Sequence, residues 1–563
     1  MRHSKMTLKT LTLAMTSAFL LAGCNSSTSG DEVENPNFGW TLGTPVVSDT
    51  ERVNSWFNQG AERIDSIQSE FELASFNTKG KAKNIILFVG DGMGISTLTA
   101  GRILEAQTRY GMELGEEHQV VFEKFPHTAL SKTYNSDATV PDSAGTMNAM
   151  MTGVKNRQSV IGLDENVWFS QCDANLFDSQ LISALDLAKM AGKSTGIVTT
   201  TAVTHATPAA TYAFSPNRNW ETDTSAGLDG CIPDIAKQLI DYQHKFDNGY
   251  GGFTTELNSG MDVIFGGGRS YFTLNSEESF SEGDREDEDL IELWKQRNPN
   301  GAYIQSGDEL ANLNIDQHST ILGLFAESQL DFDLYREDTD QPSLSEMTSS
   351  ALELLQKNED NGFFLMVEGG RIDHGHHFGS SKNALYDFMA FNQAIETAVE
   401  MTKDAADETL IIVTADHSHV FTIGGKPKRG NHILDLVHDV NDELMLADDG
   451  LPFTALHYAN GLNGGTDEFE FCYPGYGCFS FKGSFDDTGA RKDPGTSEET
   501  MANGYAQQTT VPLPSESHAG EDVGIWAIGP GSEQVRGVLE QNSIFHIMER
   551  AGNLIENAEA AIN

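Results

Sequence analysis

The sequence predicts an α/β protein with a central, mainly parallel β-sheet flanked by helices. Three observations support this fold class. Four apolar runs are rich in β-branched and aromatic residues, segments of helical character separate them, and each run stops at a polar turn. The runs occupy 84–89, 196–204, 363–367 and 409–415. Strands of a parallel sheet are buried on both faces, so they show a continuous apolar pattern instead of an alternating one.

The turns after these four runs carry side chains that can bind metal ions. They include, in chain order, Asp91, His205, Glu368, Asp373, His374, His376, His377, Asp416, His417 and His419. Ligands of open α/β sheets bind outside the carboxyl ends of the strands, where these turns would meet. Asp373 and His377 are spaced i and i+4, so one helical turn can direct both at the same cation. A single histidine-rich loop would fit a structural role equally well, but four such turns predict one shared metal site.

Residues 1–24 have the pattern of an export signal. A positively charged start precedes an apolar run over 11–22 that is too short to span a bilayer. The run ends in LAGC at Cys24, which resembles a bacterial lipoprotein cleavage box. We therefore expect an exported periplasmic or outer-membrane lipoprotein that touches the membrane only through a lipid on Cys24. An ordinary signal peptide with a coincidental cysteine is the alternative.

Two segments separate this signal from the main part of the chain. Residues 25–50 are rich in Ser, Thr, Asn, Gly and acids, which predicts a flexible tether. Residues 51–74 have a partial apolar face, which predicts an N-terminal helix.

A large catalytic unit is expected over residues 75–550. Within it, the acidic and polar stretch 275–338 predicts an insertion that forms a small appended layer. The stretch from about 420 to 515 is rich in Gly, Asn and Asp and predicts an inserted subdomain that closes over the site. Residues 551–563 are expected to form a C-terminal tail.

Four cysteines remain besides Cys24, and an even number in an exported chain predicts two disulfides. The locally closest pairing joins Cys172 with Cys231 and Cys472 with Cys478, although the sequence allows three connectivities. A zinc–thiolate site is the weaker alternative, because no CxxC spacing is present.

The charge balance is strongly acidic, with 36 Lys and Arg against 83 Asp and Glu and a net charge of −47. This balance excludes a basic face that binds nucleic acid. A surface with this negative charge also repels anionic substrates, unless metal ions and arginine make the local electrostatic potential positive. The acids recur along the whole chain, which predicts a solvated surface suited to high salt. An ordinary acidic exported protein is the alternative.

Seven motifs in a fixed order resemble the alkaline phosphatase family, over roughly residues 85–548. They are VGDGMG at 89–94, PDSAGT at 141–146, THATPAA at 204–210, the arginine of SPNRNW at Arg218, VEGGRIDHGHH at 367–377, TADHSH at 414–419 and HAGEDV at 518–523. The resemblance implies hydrolysis of small phosphate monoesters by a homodimer, and it implies that the inserted subdomain is a crown beside the dimer axis. It also supports the disulfide pairing given above.

The resemblance implies two zinc ions and one magnesium ion per subunit. The first zinc would take Asp373, His377 and His518, and the second Asp91, Asp416 and His417, and each set leaves a position open for substrate. Magnesium would take Asp91, Thr207 and Glu368, an oxygen-rich set that suits a hard cation.

Ser143 is the expected nucleophile, and Arg218 is expected to hold two phosphate oxygens. The pattern PDSAGT also predicts a helix N-terminus, so a phosphate bound at Ser143 would face the N-terminus of that helix. From PDSAG alone, Ser143 would more commonly be an N-cap serine, but the family resemblance favours a nucleophile that forms a phosphoserine. Asp142 would orient Arg218, and alcohols could compete with water as acceptors.

At two positions this chain has the residue typical of the animal branch of the family, whereas the enterobacterial branch has Asp at the first position and Lys at the second. They are His205, expected to reach magnesium only through water, and His374, expected to reach phosphate through water. His376 and His419 are expected to support the site without binding metal. Ala326 and Gln341 stand where animal relatives have acids that bind calcium, so no such calcium is expected.

Two rival functions stay open at this point. A sulfatase or phosphodiesterase could use the same metal-bearing fold, but PDSAGT lacks the CxPxR-like setting of sulfatases. A non-catalytic lipoprotein that binds metal or phosphate would keep the ligands and make Ser143 dispensable.

Overall fold

Ten strands form the central sheet of this computed structural model. Their bounds are β1 Asn84–Gly90, β2 His127–Lys132, β3 Ser194–Ala202, β4 Val263–Gly267, β5 Ala302–Ile304, β6 Ile321–Leu324, β7 Phe363–Gly369, β8 Thr409–Ala415, β16 Val523–Ile528 and β17 Gly537–Glu540. Across the sheet the strands lie in the order β17-β2-β16-β8-β1-β7-β3-β4-β6-β5. Of these ten described strands, only β16 runs against the others. The predicted α/β fold with a mainly parallel central sheet is confirmed.

The structure describes residues 80–172, 176–242, 260–275, 284–473 and 477–562. The described part of the chain lies within one compact unit, 67–563. The predicted export signal, Cys24, the tether and the N-terminal helix lie outside the described residues. No helix of the described ranges is long and apolar enough to cross a membrane.

The central strands are buried on both faces, as their continuous apolar sequences predict. In β1, Ile85, Leu87 and Val89 belong to one hydrophobic cluster, and Ile86 and Phe88 belong to another. Because side chains alternate along a strand, these two clusters lie on opposite faces of the sheet.

Helices cover both faces of the sheet. Their bounds are α1 Ile95–Thr108, α2 Ser143–Thr152, α3 Ala184–Met190, α4 Ala206–Ala209, α5 Ile235–Ile240, α6 Leu290–Arg297, α7 Gly307–Ala311, α8 Asp333–Arg336, α9 Leu344–Leu355, α10 Arg371–His377, α11 Ser381–Thr402, α12 Ser497–Thr500, α13 Ser543–Gly552 and α14 Leu554–Ile562. Helices α1, α9 and α11 contribute to one cluster, and α2, α3, α5, α6, α13 and α14 to the other. The result is a three-layer arrangement of helices, sheet and helices.

The remaining strands lie in the predicted crown region. They are β9 Ser418–His419, β10 Phe421–Ile423, β11 Leu456–Gly461, β12 Phe469–Tyr473, β13 Gly477–Phe481, β14 Thr509–Pro512 and β15 His518–Ala519. β10, β11 and β14 form a small sheet, β12 and β13 form a hairpin, and β9 pairs with β15. The last pair places His419 opposite His518, so the two ends of the insertion meet at the predicted metal site.

Two segments differ from the sequence-based expectation. The prediction of a separate layer at 275–338 was wrong for β5 and β6, which extend the central sheet beyond β4. The segment expected as a C-terminal tail is helical over Leu554–Ile562, and Leu554 and Ala558 are buried in the core.

Candidate active site

The register of three neighbouring strands brings the polar turns together. Gly90 at the end of β1 pairs with Gly369 of β7 and with Ala415 of β8. The residues that follow β1 and β8, Asp91 and Asp416, therefore leave the sheet at one level. These parallel strands share one carboxyl edge, which is where the sequence predicted the metal site.

The first group of possible ligands consists of Asp91, Asp416 and His417, all fully buried. His417 Nε2 lies 3.4 Å from Asp91 Oδ1 and 3.2 Å from Asp416 Oδ2. Burial, together with the negative charge of Asp416, holds the pKa of Asp91 well above its usual range. Burial lowers the pKa of His417. A divalent cation fits this set because it would compensate the two buried carboxylates and accept the imidazole lone pair.

The turn between β1 and α1 depends on a glycine. Gly92 has φ +70°, and a Cβ there would lie 2.4 Å from His419 Nε2. Its backbone N–H donates to Asp416 Oδ1 at 2.9 Å. The glycine thus permits the left-handed turn and the close approach that hold this carboxylate.

The second group contains Asp373, His377 and His518, with His419 beside them. His377 Nδ1 donates to the carbonyl of Glu516 at 2.6 Å, and His518 Nδ1 donates to the carbonyl of Pro141 at 2.8 Å. A carbonyl only accepts, so each ring donates through Nδ1, which would leave its Nε2 lone pair free to bind a metal ion.

Those two Nε2 atoms lie 3.2 Å apart, and they lie 3.3 and 3.4 Å from Asp373 Oδ1. Burial opposes ionisation of Asp373, but the adjacent His377 and the hydrogen bond from His419 hold the pKa of Asp373 well below its usual value. Three atoms that converge in this way can hold a cation between them, and one carboxylate with two imidazoles suits zinc.

His205 and Glu368 form a third group with Asp91. Glu368 accepts hydrogen bonds from the Thr199 and Thr201 hydroxyls, but its Oε1 is buried without a partner, as is Thr207 Oγ1. Burial raises the pKa of Glu368 to about 7, against the effect of those hydroxyl donors. Unpartnered oxygens of Asp91, Thr207 and Glu368 suit a hard cation such as magnesium.

His205 lies beside this third group, with Nε2 3.1 Å from Arg218 NH2. Burial and the positive charge of Arg218 lower the pKa of His205 to about 3, so the ring is neutral. Because Nε2 accepts from the guanidinium, the proton of the ring sits on Nδ1. In this tautomer Nδ1 is a donor and not a metal ligand, and the role of His205 through water remains a prediction.

Ser143 is the first residue of α2, and Asp142 is the N-cap that accepts from Gly145 N. The serine Oγ lies 3.2 Å from His417 Nε2 and 3.5 Å from Asp91 Oδ1. Arg218 NH1 donates to Asp142 Oδ2 at 3.1 Å. The predicted nucleophile therefore lies beside the first group of ligands, and the predicted phosphate-binding arginine contacts Asp142, the residue before it.

Two further histidines are held by hydrogen bonds. Arg371 donates to His374 Nδ1 at 2.7 Å, and burial with the charge of Arg371 lowers the pKa of His374. His376 contacts Thr97 Oγ1 and the Tyr458 hydroxyl. These contacts hold both rings in place beside the site, and the roles predicted for His374 and His376 remain predictions.

Both nitrogens of His419 face carboxylates. They lie 2.7 Å from Asp373 and 2.5 Å from Glu516. Glu516 was not predicted from the sequence, since no motif marks this carboxylate as part of the site.

The cysteines form the two predicted disulfides. One disulfide joins Cys172 with Cys231 and the other joins Cys472 with Cys478. Cys472 and Cys478 lie near Glu470, but their sulfurs bond to each other, so this exposed group is not a thiolate metal site.

The family model described as Alkaline phosphatase matches residues 82–554. The chain belongs to the alkaline phosphatase family. It is 40% identical over 536 residues to the tissue-nonspecific isozyme of alkaline phosphatase from Mus musculus, covering 92% of this chain and 93% of the relative. It is also 40% identical over 518 residues to the alkaline phosphatase of Gadus morhua, covering 90% of this chain and 97% of that protein.

The fold also resembles the solved structure of alkaline phosphatase from the Antarctic bacterium TAB5. The TM-score is 0.53 at 22% identity, with 84% of this chain and 99% of that chain covered. At 22% sequence identity, this structural similarity supports the fold alone. Membership of the family makes this alkaline phosphatase an enzyme that hydrolyses phosphate monoesters, so a non-catalytic phosphate-binding role is excluded.

Proposed function

We propose that this alkaline phosphatase works through a phosphoserine on Ser143, with two zinc ions and one magnesium ion bound per subunit. One observation carries the proposal: Ser143 Oγ lies within 3.5 Å of both Asp91 and His417. The serine oxygen thus lies against two members of one group of metal ligands. A nucleophile in that position needs no separate general base.

The metal ligands are proposed as three sets. The first zinc set is Asp373, His377 and His518, the second is Asp91, Asp416 and His417, and the magnesium set is Asp91, Thr207 and Glu368. When bound, the cations would supply Lewis-acid charge at the serine oxygen and at the leaving oxygen. The convergent Nε2 atoms and the unpartnered buried oxygens support these sets.

The reaction proposed for this chain is a double displacement. Ser143 Oγ forms a bond to phosphorus as the ester P–O bond breaks, and the alcohol leaves on the opposite side. Water then attacks the phosphoserine, phosphate is released and the Ser143 hydroxyl is restored. Two inversions give net retention at phosphorus, and an alcohol in place of water would give transphosphorylation.

Arg218 and the start of α2 would hold the phosphate during both displacements. Asp142 and His205 fix the guanidinium at 3.1 Å each, and its remaining N–H groups can bind two phosphate oxygens. The free N–H groups of the first turn of α2 favour the negative charge. Neutral His374, held by Arg371, would contact phosphate through water.

Trapping the intermediate tests this mechanism. The enzyme, with metals restored, is mixed with a phosphate ester labelled at phosphorus, quenched in acid and mapped by mass spectrometry. We expect phosphate on the peptide that carries Ser143, and loss of both label and turnover after treatment with a chelator. Phosphate on another residue, or turnover that survives full removal of metal, would overturn the proposal.

We also propose that the enzyme is an exported homodimer, tethered through a lipid on Cys24, with an acidic surface adapted to high salt. The export pattern of residues 1–24 and the charge of −47 support this part. Mass spectrometry of the mature N-terminus tests lipidation, because a free Cys24 or a cleavage site elsewhere contradicts it. Light scattering tests the dimer, and a monomeric mass at working concentration would contradict it.

A further inference from the structure

Glu516 is a buried carboxylate that the proposed reaction does not use. It lies between β14 and β15 and is 1% exposed. Its Oε2 lies 2.5 Å from His419 Nδ1, and its Oε1 accepts from Val420 N at 2.9 Å. A buried carboxylate is retained only with such partners, and one of them touches a proposed zinc ligand.

That partner, His419, connects Glu516 to Asp373. His419 Nε2 lies 2.7 Å from Asp373 Oδ1, the oxygen nearest to both His377 and His518. Each nitrogen of the ring thus faces a carboxylate oxygen, which accepts and does not donate. With both nitrogens held against carboxylate oxygens, the His419 ring turns neither nitrogen toward a cation, although it lies close enough to be a fourth ligand.

The main chain of Glu516 holds a second ligand. Its carbonyl accepts from His377 Nδ1 at 2.6 Å, and its N–H donates to the carbonyl of His377 at 3.1 Å. One residue therefore supports two of the three proposed ligands of the first zinc. Its side chain reaches Asp373 through His419, and its backbone contacts His377 directly. A substitution removes the first contact and leaves the second in place.

We propose that Glu516 is a positioning residue of the first zinc site, because its carboxylate holds His419 as a hydrogen-bond donor to Asp373. This fixes the ligand oxygen of Asp373 and keeps the His419 ring out of the coordination shell. A position for a substrate oxygen therefore stays open. The inference rests on the proposed function, since it requires zinc at Asp373, His377 and His518.

Zinc binding to the full-length protein tests the inference without using activity. Wild type, Glu516→Ala and Glu516→Gln are stripped of metal and titrated with zinc against a chromophoric chelator. Outer hydrogen-bond partners of ligands typically change metal affinity by about 10- to 100-fold, so we expect a loss of that size at the first zinc in Glu516→Ala. Affinity at the second zinc should stay unchanged. The zinc affinity of Glu516→Gln should lie between those of wild type and Glu516→Ala, because its amide oxygen can accept from His419 or from Val420 but not from both.

Cobalt(II) substitution supplies the second measurement. The visible absorption of cobalt reports the number and type of its ligands, so the spectrum of Glu516→Ala should differ from wild type when His419 is free to turn toward the metal. A double-mutant cycle then shows whether the two residues act as a unit. If Glu516 acts through His419, adding Glu516→Ala to His419→Ala should weaken zinc binding no further.

Glu105→Gln is the matched control for losing a buried carboxylate that contacts a histidine. Glu105 lies on α1, is fully buried, and contacts His118 Nε2 at 3.1 Å and Arg109 at 2.9 Å. We expect the Glu105→Gln substitution to lower thermal stability and to leave zinc affinity and the cobalt spectrum unchanged. Equal zinc loss in this variant would show that Glu516 has only a structural effect and would overturn the inference.

Two further outcomes separate this inference from the proposed function. If wild type binds two zinc ions and both Glu516 variants bind zinc as tightly as wild type does, the inference is overturned and the proposed function is not. Failure of metal-stripped wild type to bind zinc at two sites would overturn the proposed function, and the inference with it.

Discussion

The surroundings of Ser143 distinguish two ways of activating a serine. His417 Nε2 is 3.2 Å from the hydroxyl, as in a serine–histidine pair. However, His417 Nδ1 is buried without a hydrogen-bond partner, so no carboxylate orients the ring as in a Ser–His–Asp triad. His417 Nε2 also faces Asp91 and Asp416. The geometry therefore favours His417 as a metal ligand over His417 as a general base.

Replacement of Ser143 gives the first prediction at the scale of single residues. Ser143→Ala should lower kcat by about 10³-fold or more, as expected for loss of a nucleophile. Zinc content should stay unchanged, because the carboxylate and imidazole ligands are intact. Steady-state kinetics and metal analysis check both, with Ser136→Ala, an exposed serine of a neighbouring loop, as the control. A Ser143→Ala enzyme with near wild-type turnover would contradict the assignment.

Replacement of Arg218 gives the second prediction. Arg218→Lys keeps the positive charge and loses the fork that contacts Asp142 and His205. Hydrogen bonds to charged groups contribute about 1.5–3 kcal/mol, so kcat/KM should fall about 10- to 100-fold and inhibition by inorganic phosphate should weaken. The control is Arg157→Lys, an arginine that stacks on Trp168. Unchanged phosphate inhibition in Arg218→Lys would remove the arginine from the site.

At the scale of elements, β15 brings one zinc ligand to the others. Its pairing with β9 places His518 opposite His419, on the edge that also carries His417. His518→Ala removes one of three ligands, so zinc affinity should fall and added zinc should partly restore activity. Zinc titration followed by assay checks this. Unchanged zinc content and rate in His518→Ala would exclude His518 as a ligand.

A buried lysine at the start of β3 predicts how stability depends on pH. Lys193 donates to the carbonyls of Lys83 and Asn361 at 2.8 Å each, which ties the chain just before β3 to the chain just before β1 and β7. Burial lowers the pKa of Lys193 to about 8 from 10.5. The unfolded chain therefore binds more protons between these values, so the stability contributed by Lys193 should rise as pH increases from about 8 to about 10.5.

Thermal unfolding of wild type and Lys193→Met across this pH range checks the prediction. The difference in melting temperature should grow toward alkaline pH, because the neutral amine keeps both hydrogen bonds without the cost of a buried charge. Lys357→Met, which removes a lysine beside Asp316 at the surface, should show no such growth. A difference in melting temperature between wild type and Lys193→Met that stays constant across this pH range would contradict the lowered pKa of Lys193.

Elements whose role follows from local sequence were predictable, and those that depend on distant contacts were not. The continuous apolar runs predicted β1, β3, β7 and β8, because strands buried on both faces need them. β5 and β6 have only three and four residues, so their place in the central sheet depends on neighbours that the sequence does not show. Glu516 was missed for a similar reason, because only the pairing of β9 with β15 brings it to His419.

At the scale of the whole molecule, the acids exceed what ion pairing can neutralise. If each of the 36 Lys and Arg paired with one carboxylate, 83 − 36 = 47 carboxylates would remain. The buried acids of the metal site are few, so most of this excess faces solvent. Repulsion among these carboxylates opposes compaction, and it also opposes the close approach of two subunits.

Salt should therefore stabilise the folded enzyme. The Debye length falls from about 10 Å at 0.1 M to about 3 Å at 1 M salt, so repulsion among the surface carboxylates weakens over this range. Screening also weakens the attraction between phosphate and a cationic site, so turnover need not rise with stability. We expect thermal inactivation to slow between low and molar NaCl while kcat stays nearly flat, as residual activity after heating would measure. Because salts also change hydrophobic burial, KCl at equal ionic strength is the control. Equal inactivation rates from about 0.05 M to about 2 M in both salts would show that the acidic surface does not adapt stability to salt, and would leave solubility as its only supported role.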